Sequence, residues 1–98
     1  MDIISVLNNQ NQDIMRQYSI YVSKVDKETL DPIETRKVNQ NVYVRKGDTR
    51  KVIIEYALDF IMSNRDKVDS YIEKDDHTSI SYRIVMKEAD YDYLVYAL

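Results

Sequence analysis

The residue types that carry out most enzymatic chemistry are scarce in this chain of 98 residues. It contains one histidine, His77, one glycine, Gly47, and no cysteine. A single histidine provides little general acid–base chemistry, and without cysteine there is neither a thiolate nucleophile nor a disulfide. A glycine-rich phosphate loop needs several glycines. We therefore predict that the protein is not an enzyme and holds no cofactor.

Two acidic clusters are the remaining candidates for metal or hydrolytic chemistry. Asp75, Asp76 and His77 are adjacent in the sequence, and neighbours on one loop seldom converge on the same ion. Glu88, Asp90 and Asp92 lie in a predicted terminal hairpin, where carboxylates are usually surface charges rather than a catalytic pair. The sequence predicts no metal site and no paired-carboxylate hydrolase.

Basic side chains are concentrated in residues 16–51, although the net charge of the chain is −3. This segment carries nine basic and five acidic residues, whereas residues 52–98 carry five basic and ten acidic ones. Such a division of charge along a chain indicates a polar binding surface.

The stretch NQNVYVRKGDTRK, residues 39–51, has side chains suited to DNA. Asn and Arg match base edges, and a two-stranded ribbon fits the major groove. Strand alternation would place residues 39, 41, 43 and 45 on one face, and the N–H groups and dipole at a helix start attract phosphate. We expect a nucleic acid as partner, DNA in preference to RNA and most specifically double-stranded DNA. The predicted binding residues are Arg36, Lys37, Asn39, Asn41, Tyr43, Arg45, Lys46, Thr49, Arg50 and Lys51.

Periodicity indicates the elements that position these residues. Alternation of apolar residues predicts a hairpin with strands over residues 18–23 and 35–46, joined by a loop over 26–32. Gly47 then ends the second strand, and Asp48 or Thr49 caps a helix over residues 49–64. That helix is apolar on nearly all sides, apart from a narrow stripe formed by Lys51, Glu55 and Asp59.

The remaining segments complete the predicted fold. Ile3, Ile4 and Leu7 predict a short helix near the start, and the spacing after residue 64 favours more helix. Alternation predicts a strand over residues 80–86 and another over 91–97, for which a helix is the alternative. The predicted fold is a small single α+β domain over residues 1–98. Its elements are an N-terminal short helix, a basic β-hairpin, a central buried helix and C-terminal antiparallel strands.

The apolar helix also predicts self-association. A sheet in so small a domain covers only one side of a helix, so we expect a homodimer through the central helix. No apolar run approaches the ~20 residues of a membrane span. Because small secreted domains usually carry disulfides, we expect a cytoplasmic protein.

An acidic, tyrosine-rich C-terminal segment supports an alternative function. Acids interspersed with tyrosines are suited to a basic protein surface, and tyrosine is frequent among residues that dominate binding energy. The alternative is a protein-binding adaptor or inhibitor. Its candidate contact residues are Asp90, Tyr91, Asp92, Tyr93 and Tyr96.

Overall fold

A computed structural model describes residues 15–45, 47–75 and 79–98. In these ranges the chain forms a five-stranded antiparallel sheet and one α-helix. The helix α1 spans Thr49–Ser63, and a short 3-10 turn, Arg65–Lys67, follows it. The strands are β1 (Met15–Asp26), β2 (Pro32–Arg45), β3 (Val68–Asp75), β4 (Ile80–Met86) and β5 (Tyr91–Ala97).

The strand order in the sheet is β2-β1-β5-β4-β3. Three of the pairings are local, since β1 pairs with β2, β3 with β4 and β4 with β5, and in each pair the two strands follow one another in the sequence. The helix provides the long connection, from the edge strand β2 to the opposite edge strand β3. Consequently β5 lies between the β1–β2 hairpin and the β3–β4 hairpin and pairs with both.

The core lies between the sheet and α1. Val22 of β1 is opposite Val95 of β5, which is opposite Tyr82 of β4, so these side chains share the face on which the helix packs. The helix contributes Ile53 and Ala57, and all five are buried. Burial of each large apolar side chain contributes about 1.5–3 kcal/mol, so this layer holds the helix against the sheet.

The predicted α+β fold is wrong, because the described chain is mainly one antiparallel sheet in which strand residues far outnumber helical ones. The predicted hairpin and the predicted C-terminal strands are parts of the same sheet, joined by the pairing of β1 with β5. The predicted N-terminal helix lies in residues 1–14, outside the described residues, and Met15 already belongs to β1.

The region after residue 64 was predicted to be helical, but it forms the edge strand β3. Val68, Tyr71 and Ile72 have helical spacing in the sequence, yet in β3 Tyr71 and Ile72 point to opposite faces. Both are about half exposed. An edge strand with little burial gives no clear alternation, and this explains the error.

The prediction of a buried central helix is also wrong. Within α1 only Ile53 and Ala57 are buried, whereas Leu58 and Met62 are 41% and 64% exposed. One side of the helix packs on the sheet, and no other described element packs on its remaining sides. No helix in the described ranges is long and apolar enough to cross a membrane.

Several local predictions are confirmed. The predicted helix over residues 49–64 agrees with α1 to within one residue; Asp48 precedes its first turn, but its side chain makes no capping hydrogen bond. The predicted strand over residues 80–86 is β4. Residues 91–97 form the strand β5, not the alternative helix.

Candidate nucleic-acid interface

The side chains predicted to contact bases do not share one face of β2. Between the β2 residues that pair with Tyr18 and Ile20 of β1 lies one extra residue, which reverses the alternation of β2, and a second extra residue before the partner of Tyr21 restores it. Asn41 in this bulged region has a φ of 59°. As a result Asn39 faces α1, whereas Tyr43 faces away from it. The predicted base-reading face therefore does not form.

Both asparagines are hydrogen-bonded within the chain. The Asn39 side-chain amide donates to the Tyr56 hydroxyl of α1 at 2.5 Å. The Asn41 side-chain oxygen accepts from the Gln17 amide of β1. To read a base edge, each asparagine would first have to break its hydrogen bond within the chain. The free energy lost with that bond would offset most of the free energy gained from the new bond to the base.

The basic residues in the first turn of α1 have acidic partners. Arg50 Nε is 2.7 Å from Glu73 Oε1, and its Nη2 is 3.1 Å from Asp75 Oδ2. Lys51 Nζ is 3.7 Å from Asp48 Oδ1. These carboxylates offset the repulsion between the cations and the positive end of the helix dipole. The predicted phosphate site at the helix start is thus already compensated by the chain's own acids.

The other predicted residues are divided between the two sides of the sheet. Arg36 faces the α1 side, while Lys37 and Arg45 face the opposite side. Thr49 lines a cleft of about 650 Å³ between the start of α1 and the sheet, with Asp75 also in its wall. Lys46 lies outside the described residues.

The sheet face directed away from α1 carries no helix among the described residues, and we refer to it as the uncovered face. It is formed by the side chains of Tyr21, Ser23 and Val25 of β1 and by the side chains on the other strands that point the same way through cross-strand pairing. Its charged and aromatic members are Tyr21, Lys37, Tyr43, Arg45, Lys74, Arg83, Asp92 and Tyr96. At the end next to the β1–β2 turn, Lys27 contacts Asp92 and Arg83, and Val25 and Asp92 are fully buried there.

The exposed charges of the uncovered face are positive. Lys37 and Arg45 lie on β2, Arg83 on β4 and Lys74 on β3. Among the strand residues that the pairing register assigns to this face, Asp92 is the one carboxylate, and it has no exposed surface. One face of the sheet is therefore basic, although the net charge of the whole chain is −3.

The acidic residues of the strands lie mainly on the other side. Glu73 and Asp75 of β3 face α1, where they pair with Arg50. Glu34 of β2 also faces that side, opposite Lys24. The α1 side of the strands thus carries both signs of charge, since Arg16, Lys24 and Arg36 also face it, whereas the exposed charges of the uncovered face are basic.

Asp92 and two cations form a buried cluster at the end of the sheet near the β4–β5 turn. Its carboxylate is 2.9 Å from Lys27 Nζ and 2.8 Å from Arg83 Nη2, and it accepts the Met86 backbone N–H at 3.0 Å. Burial alone would raise the pKa of Asp92, but these hydrogen bonds outweigh burial and lower it. This cluster stabilises the fold, and it orients Arg83 on the uncovered face.

One row across the uncovered face combines aromatic rings with lysines. In register from β2 to β3 the row consists of Lys37, Tyr21, Tyr96, Ser81 and Lys74. The rings of Tyr21 and Tyr96 stack with centroids 5.5 Å apart and planes 17° apart. Lys37 Nζ lies 5.6 Å from the Tyr21 centroid, within the range of a cation–π contact.

The tyrosine-rich C-terminal segment does not form a single partner surface. Because β5 alternates, Tyr91 and Tyr93 lie on the α1 side, where their rings meet edge to face at 5.7 Å. Asp92 and Tyr96 lie on the uncovered face. Asp90 is exposed in the turn before β5. The contact residues predicted for a protein partner therefore lie on opposite faces of the sheet.

Tyr21, Lys74, Ser81 and Arg83 belong to this surface but were missed from the sequence. The alternation in residues 18–23 and 80–86 did group the side chains of each strand correctly. The signal that was absent is the strand order, which places Tyr21 beside Tyr96 and Ser81 beside Lys74.

Comparisons of the chain with protein-family models, curated proteins and solved structures gave no significant match. In the part of the chain that the structure describes, no group of three or more His, Cys, Asp or Glu residues is arranged to hold a metal ion. The candidate interface therefore rests on its own geometry and charge.

Proposed function

We propose that the protein binds nucleic acid through the uncovered face of its sheet. The observation that carries the proposal is the separation of charge: the exposed charged side chains on this face are basic, and its carboxylate is buried. A polyanion is the partner that such a face favours. Tyrosine rings between the basic residues add surfaces on which bases stack.

The negative net charge of the chain is compatible with this proposal. The acidic side chains of α1 lie in the layer behind the sheet, about 10 Å away, and Glu73 and Asp75, which flank Lys74 in β3, face that layer and pair with Arg50. The Debye length is about 8 Å at physiological ionic strength. Phosphates on the uncovered face are therefore influenced mainly by the basic residues around them.

The geometry favours contacts with phosphates over reading of a duplex by β2. Asn39 and Asn41 are engaged within the chain, and Asn39 faces α1. Lys37 and Lys74 lie at the two ends of one row and span the width of the sheet. Such side chains position a nucleic acid without selecting its sequence.

The proposal can be tested by fluorescence anisotropy with labelled 20-nucleotide DNA, as a single strand and as a duplex, over a range of salt concentrations. The variant Lys37→Ala/Lys74→Ala removes two charges from the uncovered face. The matched control Lys51→Ala/Lys67→Ala removes two exposed lysines of the α1–β3 segment. For a single strand the first variant should reduce the slope of log K against log salt by about 1.4, because each phosphate contact contributes about 0.7.

The control should retain the wild-type slope. The proposal is contradicted if wild-type protein binds neither DNA at low salt. It is also contradicted if the two double variants weaken binding equally, since the effect would then follow net charge rather than the uncovered face.

We also propose that the protein forms a homodimer through α1. Leu58 and Met62 are exposed on the helix. Met62 and Ile61 line an open groove of about 640 Å³ between the end of α1 and β3, together with Tyr71. A second copy that covers this groove would bury apolar side chains that are exposed in the single chain.

A further inference from the structure

The row of side chains across the uncovered face has a gap. Neighbouring strands lie about 4.8 Å apart, and on β1 and β5 the row is filled by the stacked rings of Tyr21 and Tyr96. On β4 the row continues with Ser81, whose side chain is small, and on β3 with Lys74. One ring face of Tyr96 is covered by Tyr21 of β1, and on the other side of β5 the neighbour of Tyr96 in the row is the small side chain of Ser81.

The nearest long side chain on the same strand does not fill this space. Arg83 follows Ser81 on the uncovered face, but its guanidinium is held away from it. Its Nε donates to Asp92 Oδ2 at 2.9 Å, and its Nη2 donates to the Lys27 carbonyl oxygen at 3.0 Å. Because Asp92 is fully buried, these contacts keep Arg83 directed toward the far end of the sheet.

The gap has the size of a nucleobase. From β5 to β3 is two strand spacings, about 9–10 Å, whereas stacked bases repeat every ~3.4 Å. One base therefore fits between the Tyr96 ring and Lys74. Lys74 is exposed, so its ammonium group can contact a phosphate beside that base.

The Tyr96 ring is fixed before a ligand arrives. Its hydroxyl is 3.0 Å from Ser23 Oγ, and Ser23 Oγ is also 2.8 Å from the Thr35 hydroxyl. The Tyr21 ring also stacks on one face of the Tyr96 ring. A ring held in place loses little freedom when a ligand binds.

We infer that the space above Ser81 is a stacking site for one unpaired nucleobase, and that the nucleic acid bound is single-stranded. This inference rests on the proposed function and specifies its ligand. A base within a duplex has both faces covered by its neighbours, whereas a base of a single strand can stack on a side chain. Lys37 and Lys74 at the ends of the row would contact the backbone on either side.

The test compares three probes of equal length: an oligothymidine 20-mer, an abasic 20-mer with the same number of phosphates, and a 20-base-pair duplex. The variant Tyr96→Leu removes the stacking ring, and Tyr96→Phe retains it. Tyr96→Leu should weaken binding of oligothymidine about 5- to 150-fold, the range expected for loss of one aromatic–base stack. Tyr96→Phe keeps the ring and loses only its hydrogen bond to Ser23, so it should weaken binding much less than Tyr96→Leu.

A second pair of variants acts on the gap itself. Ser81→Phe places a protein ring in the space for the base, at a strand position where aromatic residues are favoured, and Ser81→Ala leaves the space open. We expect Ser81→Phe to weaken oligothymidine binding by a similar factor and Ser81→Ala to leave it unchanged. None of the four variants should change affinity for the abasic probe.

The stacking site is overturned, with the proposed function intact, if Tyr96→Leu weakens both single-stranded probes equally or weakens neither. Duplex affinity equal to that of oligothymidine would also overturn it. If no probe binds the wild-type protein, both the site and the proposed function fail.

Discussion

Replacement of Asp92 by asparagine should remove an interaction that joins two turns at one end of the sheet. The Asp92 carboxylate accepts hydrogen bonds from Met86 N–H at 3.0 Å, from Lys27 Nζ and from Arg83 Nε, both at 2.9 Å. Arg83 also donates to the Lys27 carbonyl oxygen. The turn after β1 and the turn before β5 are therefore held together through one side chain, that of Asp92.

The expected loss of stability follows from the exposure of the three groups. Removing one partner of a buried ion pair costs about 3–5 kcal/mol. Asp92 is fully buried, but the Lys27 and Arg83 side chains are each 31% exposed, so water can solvate them in part after the change. We therefore expect about 3 kcal/mol, the lower end of the range. In a domain of this size that lowers Tm by roughly 12–24 °C.

The same carboxylate makes stability depend on pH. Because its hydrogen bonds outweigh burial, the pKa of Asp92 in the folded protein lies below its ordinary value of 3.8. On acidification the unfolded chain takes up this proton before the folded one does. The contribution of Asp92 is thus present above about pH 4 and is lost as pH falls through the folded-state pKa. Asp92→Asn should show a shallower loss of stability below that pH.

Urea unfolding followed by far-UV circular dichroism at pH 7 and between pH 5 and 2 measures both effects. Asp90→Asn is the matched control, since it removes the same charge from an exposed carboxylate two residues away. The reasoning is refuted if the two variants unfold at the same urea concentration at pH 7. Equal acid sensitivity of Asp92→Asn and wild type would refute the pH argument.

Two further predictions concern other parts of the chain. Burial and a hydrogen bond to Glu73 raise the pKa of Tyr82 to about 12. On rising pH the unfolded chain therefore loses the Tyr82 proton before the folded chain does, and the free energy of unfolding should fall between about pH 10 and 12. The Tyr82→Phe variant should show a smaller decrease in its urea midpoint between pH 9 and 11.5 than the wild type. In sedimentation velocity at about 100 μM, wild type should be dimeric and Met62→Glu monomeric, with Lys51→Glu as an exposed control on the same helix. A monomeric wild type, or a dimeric Met62→Glu variant, would contradict the predicted α1 interface.

The elements that depend on local pattern were predictable. Ile80, Tyr82, Ile84 and Met86 alternate with polar residues, and the strand β4 they predict is present with the same bounds. For α1, the Gly47 bend and the long apolar run sufficed to place both ends. In these segments neighbouring residues alone determine the backbone conformation.

The arrangement of the candidate site was not predictable, because it depends on pairings between distant segments. One extra residue in β2 reverses the direction of Asn39 relative to Tyr43, and a bulge in a strand has no clear sequence signal when its residues are exposed and polar. The stack of Tyr21 on Tyr96 requires β1 to lie beside β5. Nothing in either strand alone indicates that neighbour.

The central position of β5 has a consequence for the order in which the molecule assembles. The β1–β2 and β3–β4 hairpins can form from residues close in sequence, but without β5 they share no ladder. Joining them brings Ser23 and Tyr96 together across 73 residues, and closing a loop of that length costs about 4 kcal/mol of chain entropy. This closure should limit the folding rate. The row that contains Tyr96 exists only afterwards, so an incompletely folded chain has two separate ribbons and no continuous binding surface.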